Sequence, residues 1–187
     1  MDLQKLIGYD RHMVEWTNQH RIKSLDIYFI AITDTAYVTA ILITVAVWCV
    51  ALYRTKRTLK IKAGQMSMAL ISNTIVVTLL KYLINRQRPF VNDPHIIKLT
   101  SGGSPSFPSG HTADAFVIAM SFSYLFHEKI GLNILIWLWV FTVAYSRVVL
   151  GVHYVSDVFA SAIIGSIVAI IVNIFFRNKY HNNMDAL

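Results

Sequence analysis

Five stretches of the chain are apolar over the length that a bilayer demands, which is about 20 residues with a range of about 17–25. The first is Ala36–Tyr53 (AYVTAILITVAVWCVALY). The second is 64–84, with polar Asn73 inside it. The third, 112–126, is somewhat short. The fourth is 130–145, rich in Trp and Leu, and the fifth is 158–176. Residues 25–32 are apolar but too short to span, and Asp34 separates them from the first run. They fit either a short helix dipping into the interface or an extension of the first span. Leu3, Leu6, Ile7, Val14 and Trp16 roughly follow helical spacing, which predicts an amphipathic helix over residues 3–20 on the membrane surface. The pattern predicts an all-α integral membrane protein: a helical bundle of five to six transmembrane helices with an N-terminal interfacial helix. No tandem repeat, low-complexity segment or dividing linker is visible. Residues 1–187 therefore read as one membrane domain, with an interfacial segment 1–35, a transmembrane core 36–176 and a cytoplasmic tail 177–187.

Composition strengthens this picture. Of 187 residues, 55% are hydrophobic and 14% charged, against roughly 25% charged in a soluble domain. A soluble protein of this size could not bury so much apolar surface in one core. An ordinary cytoplasmic enzyme, a disordered tail and a secreted disulfide scaffold are excluded. The net charge of +7 comes from 17 Lys+Arg against 10 Asp+Glu. In a membrane protein this suggests anionic headgroups, phosphates or loop anchoring, not nucleic acid. Cys49 is the one cysteine, so no internal disulfide forms and a thiolate metal site is not expected. The first 24 residues hold no signal-peptide core of roughly 7–15 apolar residues; a later span is expected to target the chain.

Lys and Arg placement sets the expected orientation. Arg54, Lys56, Arg57, Lys60 and Lys62 place the loop after the first span in the cytoplasm. Alternation then puts residues 85–111 and 146–157 outside, with the N-terminal segment, and residues 127–129 and the tail inside. The overall positive count is nearly even, but several outside positives belong to a chemical constellation.

Three stretches carry it, each at a span end on the same expected side. In Lys81-Tyr-Leu-Ile-Asn-Arg-Gln-Arg88-Pro89, Lys81 and Arg88 are seven positions apart. A continuing helix would align them, with Pro89 ending it. Ser106-Phe-Pro108-Ser109-Gly110-His111 fits a tight turn into a helix N-terminus, where free N–H groups favour an anion. In the third stretch, Ser146-Arg147 precedes His153 and Asp157, which at i,i+4 would share a helix face. A carboxylate there can take one imidazole N–H and leave the other nitrogen free to attack. Three cations, two imidazoles, an orienting carboxylate and an N–H-rich turn suit phosphoryl transfer from a monoester or diphosphate. There is no HExxH, carboxylate cluster or zinc-spaced Cys/His set, so neither a metal nor another cofactor is expected.

The pattern K-x6-RP, PSGH and SR-x5-H-x3-D resembles the type 2 phosphatidic acid phosphatase superfamily. That family includes phosphatidylglycerophosphatase B, undecaprenyl diphosphate phosphatases and lipid A phosphatases. The resemblance runs from Lys81 to Asp157. It implies a helical membrane fold, no metal and a phosphohistidine intermediate. It further implies His153 as nucleophile, Asp157 as its orienter and His111 as general acid, with Lys81, Arg88, Arg147, Ser109 and Gly110 holding phosphate. The implied partners are membrane lipids and a lipid phosphate or diphosphate substrate. Lys and Arg placement puts the site on the extracytoplasmic side, which together with the one cysteine fits a bacterial inner membrane. Many bacterial members show six spans; here the sixth depends on residues 25–32.

Residues around the motifs read more plainly. Asp114 complements the helix N-terminus, although it could also contact His111. Arg86 and Lys98 are solvated or headgroup-facing. Residues 101–106 form a flexible rim. Trp137 and Trp139 face lipid or pack. A transporter using the basic cluster to bind an anion is the alternative reading, but it lacks the expected repeats or broken helices. A vanadium-dependent haloperoxidase shares the motifs but is soluble.

Overall fold

The computed structural model describes residues 3–181. Eight α-helices follow in order: α1 (Leu3–Gln19), α2 (Asp26–Asp34), α3 (Ala36–Tyr53), α4 (Arg57–Ile84), α5 (Pro89–Asn92), α6 (Gly110–Leu125), α7 (Ile130–Val149) and α8 (Val155–His181). Residues 177–181, read as the start of a cytoplasmic tail, continue α8; residues 182–187 lie outside the described residues.

Four helices, α3, α4, α7 and α8, are long and apolar enough to cross a membrane. Their outer faces carry side chains that only lipid can cover, among them Leu42, Ile75, Leu83, Leu138 and Ile171, all more than half exposed. The chain is an integral membrane protein. The fifth expected span, α6, has 16 residues and rises about 24 Å. It is also the central helix. It packs against α3, α4, α7 and α8, and Thr112, Ala113, Asp114 and Ala115 are all buried at its start. Small residues stand where α6 meets α8: Gly165 lies against Ala113 and Val117, and Ala113, Ser161 and Ala169 are fully buried. Such residues let two backbones approach closely, which is how helices associate where lipid removes the hydrophobic drive.

Residues 25–32 do not extend the first span. They form most of α2, a separate helix packed on α7 and divided from α3 at Thr35. Its nine residues cover about 14 Å, too little to cross. The loop expected at residues 54–62 is also shorter than its charge run. Arg57, Lys60 and Lys62 already belong to α4. Lys62 donates to the Leu125 carbonyl at the end of α6 and lies 4.6 Å from the Phe126 ring centroid. A cation there complements the negative end of the α6 dipole.

The N-terminal helix forms as expected, but it docks by a mixed face, with Val14 packed among Ile96, Val148 and Tyr154. Val14 and Asn18 are fully buried, while Leu6, Ile7 and Trp16 stay exposed. Arg11 pairs with Asp93 at 2.8 Å. The Asn18 amide donates to the carbonyls of Ile97 and Val149 and accepts the Ile97 N–H. These bonds tie α1 to the two loops that build the site. Gly151, at φ +74°, turns the second of these loops; a Cβ there would lie 2.6 Å from the Ile97 carbonyl oxygen.

Candidate active site

The C-terminal ends of α4 and α7 meet the N-terminal ends of α6 and α8 around one cavity of about 300 Å³. Lys81, Arg88, Gly110, His111, Arg147 and His153 line it, so residues separated by more than seventy positions converge there. Tyr37, Asp114 and residues 101–104 complete the wall. Two expected members stand back from it. Ser109 is fully buried, and its hydroxyl pairs with Thr112 at 3.0 Å. Asp157 sits behind His153, its Oδ2 3.5 Å from the ring Nδ1.

Arg88 does not arrive on a continuing helix. The α4 helix ends at Ile84, Asn85 caps it in the left-handed region at φ 45°, and Arg88 is extended. Pro89 therefore opens the short α5 at its first position, where a missing N–H costs nothing. The extended segment lets the Arg88 guanidinium turn inward and lock. Its Nε donates to the Ser104 carbonyl at 2.7 Å and its Nη1 to the Val152 carbonyl at 2.8 Å. A Cβ on Gly102 would press within 3.0 Å of that Nη1. Lys81 Nζ donates to the Pro105 carbonyl at 2.8 Å. Arg147 Nη1 donates to Thr33 of α2 at 2.5 Å, while its Nε is buried without a hydrogen-bond partner.

His153 and Asp157 do not share a helix. His153 lies in the turn before α8, and Asp157 in its first turn. The Asp157 Oδ2 accepts the Tyr154 N–H at 3.0 Å and the Ser106 hydroxyl at 2.5 Å. This folds the turn back so that His153 Nδ1 stands 3.5 Å from the same oxygen. On the other side of the ring, Nε2 lies 3.2 Å from Arg88 Nη1. A guanidinium can only donate, so Nε2 presents its lone pair and Nδ1 carries the hydrogen. Burial pushes the imidazole down to about 3, with Arg147 and Arg88 adding to the shift. His153 is thus a neutral ring at neutral pH, with its Nε2 lone pair directed at Arg88.

Three neighbours differ from their sequence reading. Asp114 does not serve the helix terminus; its carboxylate accepts from Asn73 of α4 at 2.7 Å, tying two core helices. Ser106 is no rim residue but is fully buried against Asp157. Arg86 is not free in solvent. Its Nη1 lies 2.6 Å from Asp157 Oδ1 and its Nη2 lies 2.8 Å from Asp10. No periodicity signals these partners; the one available hint was that Arg86 lies inside the first motif. Trp137 packs as expected and donates to Ser123.

The PAP2 superfamily model matches residues 62–181. The chain belongs to the PAP2 superfamily. The PAP2 match contains all three motifs, whereas α1, α2 and α3 precede it. Over 81 residues the chain is 41% identical to a lipid A 4'-phosphatase of Bacteroides thetaiotaomicron, covering 43% of this chain and 36% of that relative's length. Over 159 residues it is 30% identical to undecaprenyl-diphosphatase BcrC of Bacillus subtilis, covering 84% of this chain and 77% of that one. Among solved structures, Aquifex aeolicus LpxE superposes with a TM-score of 0.74 at 30% identity, covering 86% of this chain and 92% of that one. The PAP2 relatives thus include lipid phosphatases and a diphosphatase.

Proposed function

We propose that this PAP2 protein is a metal-independent membrane lipid phosphatase. In this reading it cleaves a lipid phosphomonoester or diphosphate through a phosphohistidine. The observation that carries the proposal is His153, neutral, with its Nε2 lone pair beside Arg88 on a cavity shared by Lys81, Arg147 and His111. The Nε2 atom attacks phosphorus, the bond to the leaving oxygen breaks, and His111 donates a proton to that oxygen. Water then attacks the phosphohistidine, giving its proton to His111, and inorganic phosphate leaves. Asp157 stabilises the positive ring that the attack creates. Lys81, Arg88 and Arg147 neutralise charge spreading over the phosphoryl oxygens, and the orphan Arg147 Nε is a donor that such an oxygen satisfies. Gly110, at the α6 N-terminus, offers backbone N–H, and the Ser109 hydroxyl holds that turn through Thr112. The relatives' names favour a lipid phosphate or diphosphate over a soluble ester.

The test is phosphate release in detergent and chelator from phosphatidic acid, phosphatidylglycerophosphate, undecaprenyl diphosphate and lipid A. Release from at least one, lost in His153→Ala, is the expected result. No release from any lipid, or release only after magnesium is added, contradicts the reading.

His111→Ala should lower kcat far more than it weakens substrate binding. The loss should shrink for p-nitrophenyl phosphate, whose leaving group needs little protonation. Equal losses for good and poor leaving groups would move His111 to phosphate binding.

We place the site on the extracytoplasmic side, in a bacterial inner membrane. The support is the charge cluster Arg54, Lys56, Arg57, Lys60 and Lys62 at the opposite end of α4 from Lys81. In a Cys49→Ala background, a cysteine replacing Ser104 should react with a membrane-impermeant maleimide in intact cells. One replacing Thr58 should react only after lysis. The reverse pattern overturns the orientation.

A further inference from the structure

Arg86 lies outside the wall of the reactive cavity, yet it is bonded to the catalytic carboxylate. Asp157 is fully buried, and its two oxygens have different duties. The Oδ2 atom accepts from Ser106 and the Tyr154 N–H and faces His153 Nδ1 at 3.5 Å. Among the described residues, Arg86 is the sole donor to Oδ1. The Arg86 guanidinium is fixed on three further sides. It lies 3.8 Å over the Tyr154 ring, donates to Ser156 Oγ at 2.7 Å, and pairs with Asp10 of α1. Asp10 also accepts the Ser156 N–H at 3.0 Å and the Ser156 hydroxyl. One carboxylate of the N-terminal helix thus grips both the cation and the first turn of α8.

Rotation of the carboxylate about its Cβ–Cγ bond moves both oxygens, so bonds to Oδ2 already resist it. A bond to Oδ1 adds a restraint on the side that Ser106 and the Tyr154 N–H leave open. A planar guanidinium held by stacking and a second carboxylate is well suited to this, because charge-assisted bonds are short and directional. Without it, Oδ1 would be a buried anionic oxygen without a partner, a costly arrangement.

We propose that Arg86 and Asp10 form a positioning relay for the nucleophile. Arg86 fixes Asp157 against His153, and Asp10 fixes Arg86, so that α1 is part of the catalytic assembly and not only a membrane-surface helix. Neither residue touches substrate. The inference rests on the reading of Asp157 as the group that orients His153.

The relay is tested in the full-length protein in detergent, with a lipid released by the wild type and with p-nitrophenyl phosphate. Arg86→Ala should lower kcat by about 10–100-fold, as loss of a supporting bond to an active group does, while KM changes less than about threefold. Arg86 is partly exposed, so millimolar guanidinium chloride should restore part of the lost kcat; sodium chloride of equal ionic strength should not. Asp10→Asn should lower kcat less than Arg86→Ala does. The double variant should be no worse than Arg86→Ala alone, because both act through one chain of contacts. Arg86→Lys, which keeps the charge but not the fork, should fall between, and it covers the case in which Arg86→Ala does not fold.

Unchanged kcat in Arg86→Ala, or a raised KM at constant kcat, overturns the relay while leaving the phosphatase reading intact. So do a loss indifferent to guanidinium and additive losses in the double variant. A wild type that releases no phosphate overturns the reading and the relay together.

Discussion

Replacing His153 by alanine is expected to reduce phosphate release by at least about 10⁴-fold, the scale on which removal of a nucleophile collapses a unit that acts in concert. The bundle should survive. His153 comes from the turn before α8, and its Nδ1 has no partner at hydrogen-bond distance that folding would lose. Wild-type protein quenched during turnover should carry acid-labile phosphate on His153, and the variant none. Near-normal turnover in a folded His153→Ala protein would sink the assignment. Asp157→Asn should also cost heavily, about 10³-fold or more, for a reason visible in the contacts. Donors face both carboxylate oxygens: Arg86 at Oδ1, Ser106 and the Tyr154 N–H at Oδ2. An amide has one acceptor oxygen, so its NH2 must confront a donor whichever way it turns. The variant also cannot stabilise an imidazolium as a carboxylate does.

Gly165→Val is expected to give the largest loss of stability, about 3 kcal/mol or more, at the upper end of what overpacking usually costs. A Cβ at Gly165 would lie 2.4 Å from the Ala113 carbonyl oxygen and 3.1 Å from the Val117 nitrogen. Both atoms are backbone of α6, so no rotamer change relieves the clash and the helices must part. Because α6 carries Gly110 and His111 at its start, activity should fall with stability. Gly131→Ala is the control, since a Cβ there meets nothing within 4 Å. Melting curves in detergent that show the two variants equally stable would refute the close packing of α6 on α8.

The two effects differ in how far the sequence foreshadows them. The spacing of the motifs brought Lys81, Arg88, His111, Arg147 and His153 to one cavity because apolar runs of fixed length reverse the chain at predictable intervals. That is a one-dimensional property, since a bilayer sets the length and each span returns the chain to a known side. The close approach at Gly165 is not of this kind. Nothing in a run of Ile, Ala and Gly says which face meets another helix when both faces are apolar.

Local backbone chemistry accounts for the next group of differences. The sequence carried Lys81 and Arg88 on one helix, but Asn85 turns left-handed and Arg88 reaches the cavity from an extended segment. His153 and Asp157 looked like helical neighbours, but hydrogen bonds to Asp157 fold a turn instead. In both cases the same residues meet by a different route. A helix and a tight turn can bring equally separated side chains together.

By itself, the sequence determined that the chain is helical and membrane-embedded, which family it resembles and which residues gather at the cavity. The physical reason is that spans and motif spacing are encoded along the chain. Tertiary structure alone decided that α2 is a helix separate from the first span, that α6 sits at the centre of the bundle, and that Ser106, Arg86 and Asp10 stand behind His153. Those contacts join positions 51 to 146 residues apart. A polar side chain reveals its partner only when helix packing has removed the water that would otherwise satisfy it.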